Sequence, residues 1–410
     1  MTNDRLSAME YERYTDEKHP DGVHHVEVLE PLPQKPKRPL WRRVVRFLLT
    51  AGAIFMVWST FAPIFSYTRC HGNKHNMHRP PQPDLSRSEP ISSDLIETMM
   101  SGGDGSGATY EHYTFPADLK SFWLKQESFT RLLPTPTRTQ VVGKVIVHSC
   151  PKAENISTYF RLTFSEPWLR ESILIEPHSD GILFKLDPYS STHAKVNATV
   201  LVVVPKSDEY SLDRLSAGTI QLPILLKDTF TTHINATSLD TISGNVFAFG
   251  KAADKKALDI ANLHVGTVSG SIDGEFPLIH AVDLESTSGT ITASIVSANL
   301  KEQIGYIKTS TVSGDHAISF LGKLNPRPLY STHNSVSGNI DVKYPEDWQG
   351  GLKLKTTSGH IQVRGKGTKV VKKEKDIVGR FWQVIKGDGK SKGSLGSISG
   401  TIDVLIGKDE

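Results

Sequence analysis

Three aspartates occupy the same place in a repeated phrase of this sequence, and paired carboxylates are the groups that cleave glycosidic bonds. Asp273, Asp341 and Asp403 each follow the residues Ser-Gly-x-Ile. That chemistry needs two carboxyl groups about 5 to 9.5 Å apart, one as an acid and the other as a base or nucleophile. Other copies of the phrase lie between these three along the chain. We therefore expect solvated surface acids and no catalytic pair.

Three short groupings resemble chemical sites, but none has the surroundings that its chemistry requires. Metal-ligand residue types cluster in a polar segment that offers no fold to hold them, namely Cys70, His71, His75 and His78. Residues 389–393 match the G-x-S-x-G pattern of a nucleophile elbow, which needs a strand before it and a helix after it. Residues 387–391 imitate the end of a phosphate loop, with Val384 in the place of its leading glycine. Single histidines without a recurrent acidic partner are His233, His264, His280 and His360. The sequence thus predicts no catalytic residue, no cofactor and no metal site.

The repeated phrase indicates the elements that carry these residues. It consists of Ser or Thr, a β-branched residue, Ser and Gly, and it recurs seven times at intervals of 19 to 26 residues, except for a last interval about twice as long. The Ser-Gly pairs are Ser243 and Gly244, Ser269 and Gly270, Ser288 and Gly289, Ser313 and Gly314, Ser337 and Gly338, Ser358 and Gly359, and Ser399 and Gly400. Repeats at this period are typical of stacked units that bury their apolar faces only against neighbours.

The apolar positions change phase at each Ser-Gly pair. Residues four and two before the Ser share one parity, and residues three and five after it share the other. Because a strand alternates its side chains between two faces, the change predicts a corner, where Gly would supply a positive φ. The alternative is one straight strand with the β-branched residue, Gly and Ile pointing inward. Leu215–Ile220 resembles a degenerate copy, and residues 366–390 a long insertion before the last copy.

These patterns predict an all-β fold, a β-solenoid of about 10 to 12 rungs over residues 139–410. Short β-rich runs between residues 141 and 204 are its first strands. The final run, residues 402–406, is expected to close the stack.

An uncharged apolar stretch from Phe47 to Tyr67 predicts a transmembrane helix within residues 44–67, because about 20 apolar residues span a bilayer. Basic residues concentrate before it, namely Lys35, Lys37, Arg38, Arg42, Arg43 and Arg46. Only three follow at a similar distance, so we expect a cytosolic N-terminus and an extracellular or lumenal C-terminal domain, in the plasma membrane or secretory pathway. Three glycosylation sequons, at Asn155, Asn197 and Asn235, all lie beyond the span and favour the same orientation.

The segments around the span are polar. Residues 1–43 are predicted to be disordered, and Pro33–Arg38 fits either a ligand of an SH3-type domain or a stiff spacer. Residues 68–138 are predicted to form a Pro-, Gly- and Ser-rich stalk with a short helix at 117–131. Cys70 and Cys150 could pair within one chain, or Cys70 could bridge two anchors. A net charge of +3 does not indicate a nucleic-acid partner.

The T-V-S-G-x-I phrase, repeated through a β domain, resembles that of the putative-adhesin family of β-solenoids, and the anchored form with a Pro-rich tail resembles its fungal members. The resemblance is clear over residues 239–410 and implies no catalytic residues. Together these features predict a non-enzymatic, membrane-anchored β-solenoid that binds cell-wall glycan or a surface protein. Two alternatives stay open: a carbohydrate-active β-helix enzyme, and a spacer or receptor arm that signals through the cytosolic tail.

Overall fold

The computed structural model describes residues 108–128, 140–150, 153–186, 194–206, 210–227, 232–248, 260–297, 304–324, 327–376 and 379–408. All of them belong to one compact unit, Pro83–Glu410. Among these residues, no helix has the length and apolar character needed to cross a membrane. The predicted span at residues 47–67, the tail with Pro33–Arg38 and the cluster at Cys70–His78 lie outside the described residues.

The described chain is all-β, with one 3-10 helix at Pro167–Ser172. Its first strands are β1 (Thr109–Thr114), β2 (Ser121–Ser128), β3 (Gln140–Cys150), β4 (Ser157–Phe164), β5 (Ile173–His178), β6 (Gly181–Leu186), β7 (Lys195–Pro205), β8 (Ser211–Thr219), β9 (Ile224–Leu226), β10 (His233–Thr241), β11 (Val246–Ala248) and β12 (Ile260–Thr267). The remaining strands are β13 (Ile272–Leu278), β14 (Ala281–Ser286), β15 (Ile291–Ser297), β16 (Gly305–Thr311), β17 (His316–Leu321), β18 (Leu329–Ser335), β19 (Ile340–Tyr344), β20 (Gly350–Thr356), β21 (Ile361–Arg364), β22 (Thr368–Asp376), β23 (Gly379–Lys386), β24 (Ser391–Ser397) and β25 (Ile402–Ile406).

These strands form two large sheets. The first sheet has the order β1-β4-β7-β3-β9-β11-β13-β15-β17-β19-β25-β21, and the second has the order β22-β23-β20-β24-β18-β16-β14-β12-β10-β8-β2-β6-β5. From β8 to β19 the chain alternates between the sheets, so that each strand pairs in parallel with the strand two positions later. We call one strand of the second sheet together with the next strand of the first sheet a rung. By this definition the described residues contain ten rungs stacked in parallel.

Equivalent residues of successive rungs lie side by side in the interior. Leu239 pairs with Val265, which pairs with Leu284, in the second sheet. Ile272 pairs with Ile291 in the first sheet. All five side chains are buried. Burial of one such side chain contributes about 1.5 to 3 kcal/mol, so stacked columns supply most of the cohesion of the domain.

The rungs at both ends are out of chain order. The β2/β3 rung lies between the β6/β7 and β8/β9 rungs, and the last rung of the chain, β24/β25, lies between β18/β19 and β20/β21. The expectation that residues 402–406 close the stack was therefore wrong. Strands β22 and β23 pair with each other as an antiparallel hairpin, and β23 also pairs antiparallel with β20, so it occupies the edge that a further rung would need. The chain then returns to fill the slot left between β19 and β21.

The β domain also begins earlier than predicted. Residues 109–114 and 121–128 are strands, where the sequence predicted a stalk with a helix at 117–131. The helix prediction was wrong, because burial alternates along β2: Phe122, Leu124 and Gln126 are buried, whereas Trp123 and Lys125 are not. The antiparallel partners β1, β4 and β5 cover this end of the two sheets.

Candidate functional site

Each copy of the repeated phrase lies between a strand of one sheet and a strand of the other. Thr267, for example, ends β12, and Ile272 begins β13 after Ser269 and Gly270. The Thr267 hydroxyl accepts the Gly270 N–H at 2.9 Å. In the same corner the Ser269 hydroxyl donates to the carbonyl of Ile242 in the previous rung, at 3.2 Å. The polar residues of the phrase thus satisfy the backbone groups that the change of direction frees from the ladders.

The same two bonds recur at other corners. The N–H of Gly244, Gly289, Gly338, Gly359 and Gly400 is accepted by the Ser or Thr three residues earlier. Ser243, Ser288, Ser337, Ser358 and Ser399 donate to a carbonyl of the neighbouring rung. At the remaining corner, Ser313 and Gly314, the Thr311 hydroxyl donates to the Gly314 carbonyl instead.

The degenerate copy is four residues away from its predicted place. Thr219 pairs with Thr241, whereas Gly218 pairs with Asp240. The residue equivalent to the corner glycine is therefore Leu222, whose carbonyl lies against Gly244. Residues Ser216, Ala217 and Gly218 resemble the Ser-Gly pair of the phrase, but they lie within β8 and not in the corner after it.

The three aspartates are not spaced as predicted. Asp341 and Asp403 are direct partners in the parallel β19–β25 ladder, because β25 fills the slot beside β19. Asp273 pairs with Thr292 and lies apart from them. Burial raises the pKa of Asp341, and the charge of Asp403 acts in the same direction. Arg364 binds the Asp403 carboxylate at 3.1 Å, so this acid already has an ion-pair partner.

His264, predicted to be isolated, lies in a charged network on the outer face of the second sheet. Its ring nitrogens are 3.5 Å from an Asp240 oxygen and 3.7 Å from an Asp283 oxygen. Interaction with these two carboxylates raises the pKa of His264 to about 10, so the ring is a cation at neutral pH. Lys308 also binds Asp283, at 3.2 Å, and forms an ion pair with Glu285. The acidic partners of His264 come from neighbouring rungs, so they are distant from it in the sequence.

The remaining predicted positions lie on strands and loops of the β domain. Asn197 and Asn235 are exposed, and Asn155 is half-buried. Cys150 is a buried free thiol at the end of β3, and Cys70 lies outside the described residues. Residues 387–390 connect β23 to β24, so the G-x-S-x-G string has no helix after it, and the Ser391 hydroxyl accepts the Leu329 N–H.

A depression of about 540 Å³ opens on the outer face of the second sheet, over strands β18, β24 and β20. We call it the lysine depression. Its outward-facing side chains and its open floor are provided by Tyr330, Thr332, Gly351, Lys353, Gln383, Lys390, Lys392 and Ser394. A neighbouring depression of about 560 Å³ shares Lys390 and includes Asp347 and Asp388. None of the described residues that line the lysine depression carries a carboxylate.

Strand register sets its geometry as a small grid. Tyr330 pairs with Lys392, which pairs with Gly351, in one row. Thr332, Ser394 and Lys353 form the next row. Neighbours in a row are about 4.8 Å apart, and successive outward residues of one strand are about 6.6 Å apart. A polymer lying across the strands would meet an aromatic ring, two hydroxyls and two ammonium groups within three rungs.

Tyr330 belongs to a longer aromatic row. Its ring centroid is 5.6 Å from that of Tyr306, which in turn is 5.5 Å from that of His280. On the other side, the Lys392 ammonium lies 5.6 Å from the Tyr330 centroid, within the range of a cation–π contact. These contacts fix the ring and the ammonium group at the mouth of the depression.

Sequence reasoning missed these residues because they come from three separate segments of the chain. Stacking in chain order would put Gly351 and Lys353 beside Tyr330 and Thr332, with Lys392 and Ser394 one rung further out. The available signal was the doubled last interval together with the β-rich run at residues 368–386. A hairpin there blocks the edge of the sheet and so requires the last rung to lie elsewhere.

Comparison with known proteins gives structural likenesses at low identity. No family model matches the chain, and no curated sequence matches it. A "putative cell adhesion protein" of Clostridium sporogenes is 14% identical, with 73% of this chain and 99% of that chain covered and a TM-score of 0.24. A "putative lipid binding protein" of Parabacteroides distasonis is 12% identical, with 73% and 97% covered and a TM-score of 0.39. A "putative adhesin" of Parabacteroides merdae is 11% identical, with 73% and 97% covered and a TM-score of 0.33.

Proposed function

We propose that this chain is a non-enzymatic, single-pass membrane protein that displays a β-solenoid outside the cytosol and binds glycan through the lysine depression. Residues 47–67 would anchor it in the bilayer, with the N-terminus in the cytosol. The ten stacked rungs support the solenoid, because each is covered by its neighbours in parallel register. The observation that carries the binding function is the lysine depression itself.

The lining of the depression suits a hydroxyl-rich chain molecule. Binding sites combine apolar contact surface with a few placed polar groups that fix orientation. Tyr330 supplies a ring with a polar tip, and Thr332 and Ser394 supply hydroxyls that both donate and accept. The depression is open along the sheet, so several sugar residues of one polymer could contact neighbouring rungs. Many weak contacts of this kind add up when the ligand is multivalent.

The hydrolase alternative is favoured by one observation, the neighbouring carboxylates of Asp341 and Asp403. They belong to the first sheet, whereas the lysine depression lies on the second. Asp403 is also held by Arg364. Release of reducing ends from a bound glycan, abolished in Asp341→Asn, would establish the enzyme and overturn the non-enzymatic proposal.

The test is a binding measurement with the full chain in detergent micelles. We expect the protein to be retained on isolated cell-wall polysaccharide, and Tyr330→Ala to weaken retention at least tenfold. Tyr110→Ala is the matched control, because Tyr110 is an exposed tyrosine on β1, an edge strand of the first sheet, whereas the lysine depression lies on the second. Equal binding by both variants, or no binding by the wild type, would contradict the proposal.

A further inference from the structure

Two neighbouring regions on the outer face of the second sheet differ in whether their cations have acidic partners. Over β10 to β16, cations are neutralised within the protein: His264 contacts Asp240 and Asp283, and Lys308 contacts Asp283 and Glu285. This region of the face therefore needs no outside partner for these charges.

Over β18, β24 and β20 the cations have no such partners. Among the described residues, neither Lys353 nor Lys392 forms an ion pair, and both are exposed. Their register neighbours in the sheet are neutral: Ser394 and Gln383 flank Lys353, and Tyr330 and Gly351 flank Lys392. Two ammonium groups thus face an open depression whose described lining residues include no carboxylate.

The charge of the surrounding segment acts in the same direction. Residues 350–396 contain twelve Lys or Arg and only three Asp or Glu, although the whole chain has a net charge of +3. A concave surface lined by one sign of charge concentrates ligands of the opposite sign. Protection of a sheet edge explains lysines on β22, which is an edge strand. It does not explain Lys353 and Lys392, because β20 and β24 each have neighbours on both sides.

The space between the two lysines is shaped for a ligand group. Gly351 lies next to Lys392 across the ladder and two residues before Lys353 on β20. A Cβ built on Gly351 would meet only the Val384 carbonyl oxygen, 4.0 Å away. The site is thus open because a side chain is missing there, and not because the backbone is distorted.

We propose that the glycan bound in the lysine depression is acidic, with a carboxylate or sulfate group held between Lys353 and Lys392. This inference rests on the proposed function and adds the chemical class of its ligand. The Tyr330 ring would contact the adjoining sugar, and the Thr332 and Ser394 hydroxyls would bind its oxygens. Charge-assisted hydrogen bonds of this kind are stronger than neutral ones and are weakened by salt when exposed.

The experiment compares four probes on the full chain in detergent micelles: polygalacturonate, dextran sulfate, neutral dextran, and phosphatidylglycerol–phosphatidylcholine vesicles. We expect at least tenfold tighter binding to one or both acidic polymers than to neutral dextran, and weaker binding as salt is raised. Binding to polygalacturonate alone assigns a uronate, and binding to dextran sulfate alone assigns a sulfate ester. Vesicle binding without acidic-polymer binding would overturn the inference in favour of an anionic lipid surface.

Two variants separate a built site from general charge attraction. Lys353→Gln with Lys392→Gln is expected to weaken acidic-polymer binding at least tenfold. Lys144→Gln with Lys195→Gln, exposed lysines of the other sheet, makes the same change in net charge and should have little effect. Gly351→Leu fills the depression without changing charge and should also abolish binding. Equal losses in both lysine pairs, with Gly351→Leu still binding, would overturn the inference.

These binding measurements also distinguish the acidic class of ligand from the glycan-binding function on which it rests. One outcome is that neutral dextran or neutral wall glycan binds as tightly as the acidic polymers, with binding weakened by Tyr330→Ala. That result would be consistent with glycan binding but would refute the acidic class of ligand. No binding to any polysaccharide would refute both.

Discussion

Glycine at the corners is required by close approach and not by a positive φ. The glycines with positive φ in the described chain do not include any of the seven that follow Ser in the repeated phrase. A Cβ at Gly289 would lie 1.7 Å from the Gly270 carbonyl oxygen, and a Cβ at Gly314 would lie 1.9 Å from that of Gly289. The predicted residue was thus right for a different reason: each corner packs its backbone directly against the corner before it.

Gly289→Ala should therefore be strongly destabilising, whereas Gly218→Ala should not. The methyl at position 289 has no flexible neighbour to displace, so we expect a loss of about 3 kcal/mol. Gly218 has nothing within 4 Å of an added Cβ, so the change there should be neutral or slightly stabilising. Chemical denaturation of the two variants, followed by circular dichroism, measures the difference. Similar midpoints would show that the corners are not in contact.

A second residue-scale feature is a pair of buried histidines in mostly apolar columns. The Thr309 hydroxyl is 2.9 Å from Nδ1 of His316 and 2.9 Å from Nδ1 of His333. Nε2 of His316 is 2.9 Å from the Thr311 hydroxyl. Burial lowers the pKa of His316 to about 4, against the opposing charge of Asp315. Burial also lowers the pKa of His333 to about 3, and His316 adds to this effect.

The domain should therefore lose stability in mild acid. Both folded-state pKa values lie below the value of 6.5 for an exposed histidine, so the unfolded chain binds protons first as pH falls. The cost between pH 7 and pH 5 is about 2 kcal/mol for each histidine. His316→Ile with His333→Leu should remove this pH dependence.

The measurement is the difference in unfolding free energy between pH 7 and pH 5, since the absolute stability also changes when Thr309 loses both partners. His360→Gln, at an exposed histidine, is the control and should keep the dependence of the wild type. An unchanged pH dependence in the double variant would show that other groups cause it.

At the scale of elements, the unusual feature is the last rung, which lies inside the stack. β24 pairs with both β18 and β20, and β25 pairs with both β19 and β21. In the described part of the chain, β20 does not pair with β18, and β21 does not pair with β19. The two halves of this end are therefore joined through the last residues of the chain, and the lysine depression is complete only when β24 is in place.

Removal of the last rung should loosen more than the chain terminus. A chain ending at residue 390 leaves one unpaired edge on β18/β19 and another on β20/β21. We expect amide hydrogens of β20, β21 and the β22–β23 hairpin to lose protection from exchange, while those of β12 to β15 keep it. Removal of a true end rung would affect only its single neighbour. Unchanged protection of β20 and β21 in the truncated protein would contradict this connectivity.

For the whole molecule, the exposure of the three glycosylation sequons is relevant to the proposed position of the β domain outside the cytosol. Asn197 on β7 and Asn235 on β10 are exposed. The Asn235 amide donates to Asp213 at 3.2 Å, which leaves it only partly free. Asn155 is half-buried. In the sheet order, Asn235 is four strands from β18, so a glycan there would not lie on the lysine depression.

We predict glycosylation first at Asn197, next at Asn235 and least at Asn155. Glycosidase treatment of the full chain made in eukaryotic cells should lower its mass in steps, and Asn197→Gln should remove the largest share. The triple variant, with Gln at all three positions, is the control that should show no shift. A wild-type chain of unmodified mass would contradict a lumenal or extracellular domain.

The local sequence was sufficient for the all-β class, the period of the rungs and the position of the corners. These follow from properties of one phrase: alternating apolar residues, a Ser or Thr that can accept a backbone N–H, and a glycine. His316 also lies in the Ile column that its place in the phrase predicts, between Ile291 and Ile340.

Tertiary structure alone decided which rungs are neighbours. Each copy of the phrase determines the structure of its own rung but not the order in which the rungs stack, because every rung has nearly the same two strand edges. Only the hairpin that occupies the edge of β20 sends the last rung back between β18 and β20. That one choice brings Asp341 beside Asp403, and places Lys392 between Tyr330 and Gly351 to form the depression proposed here as the binding site.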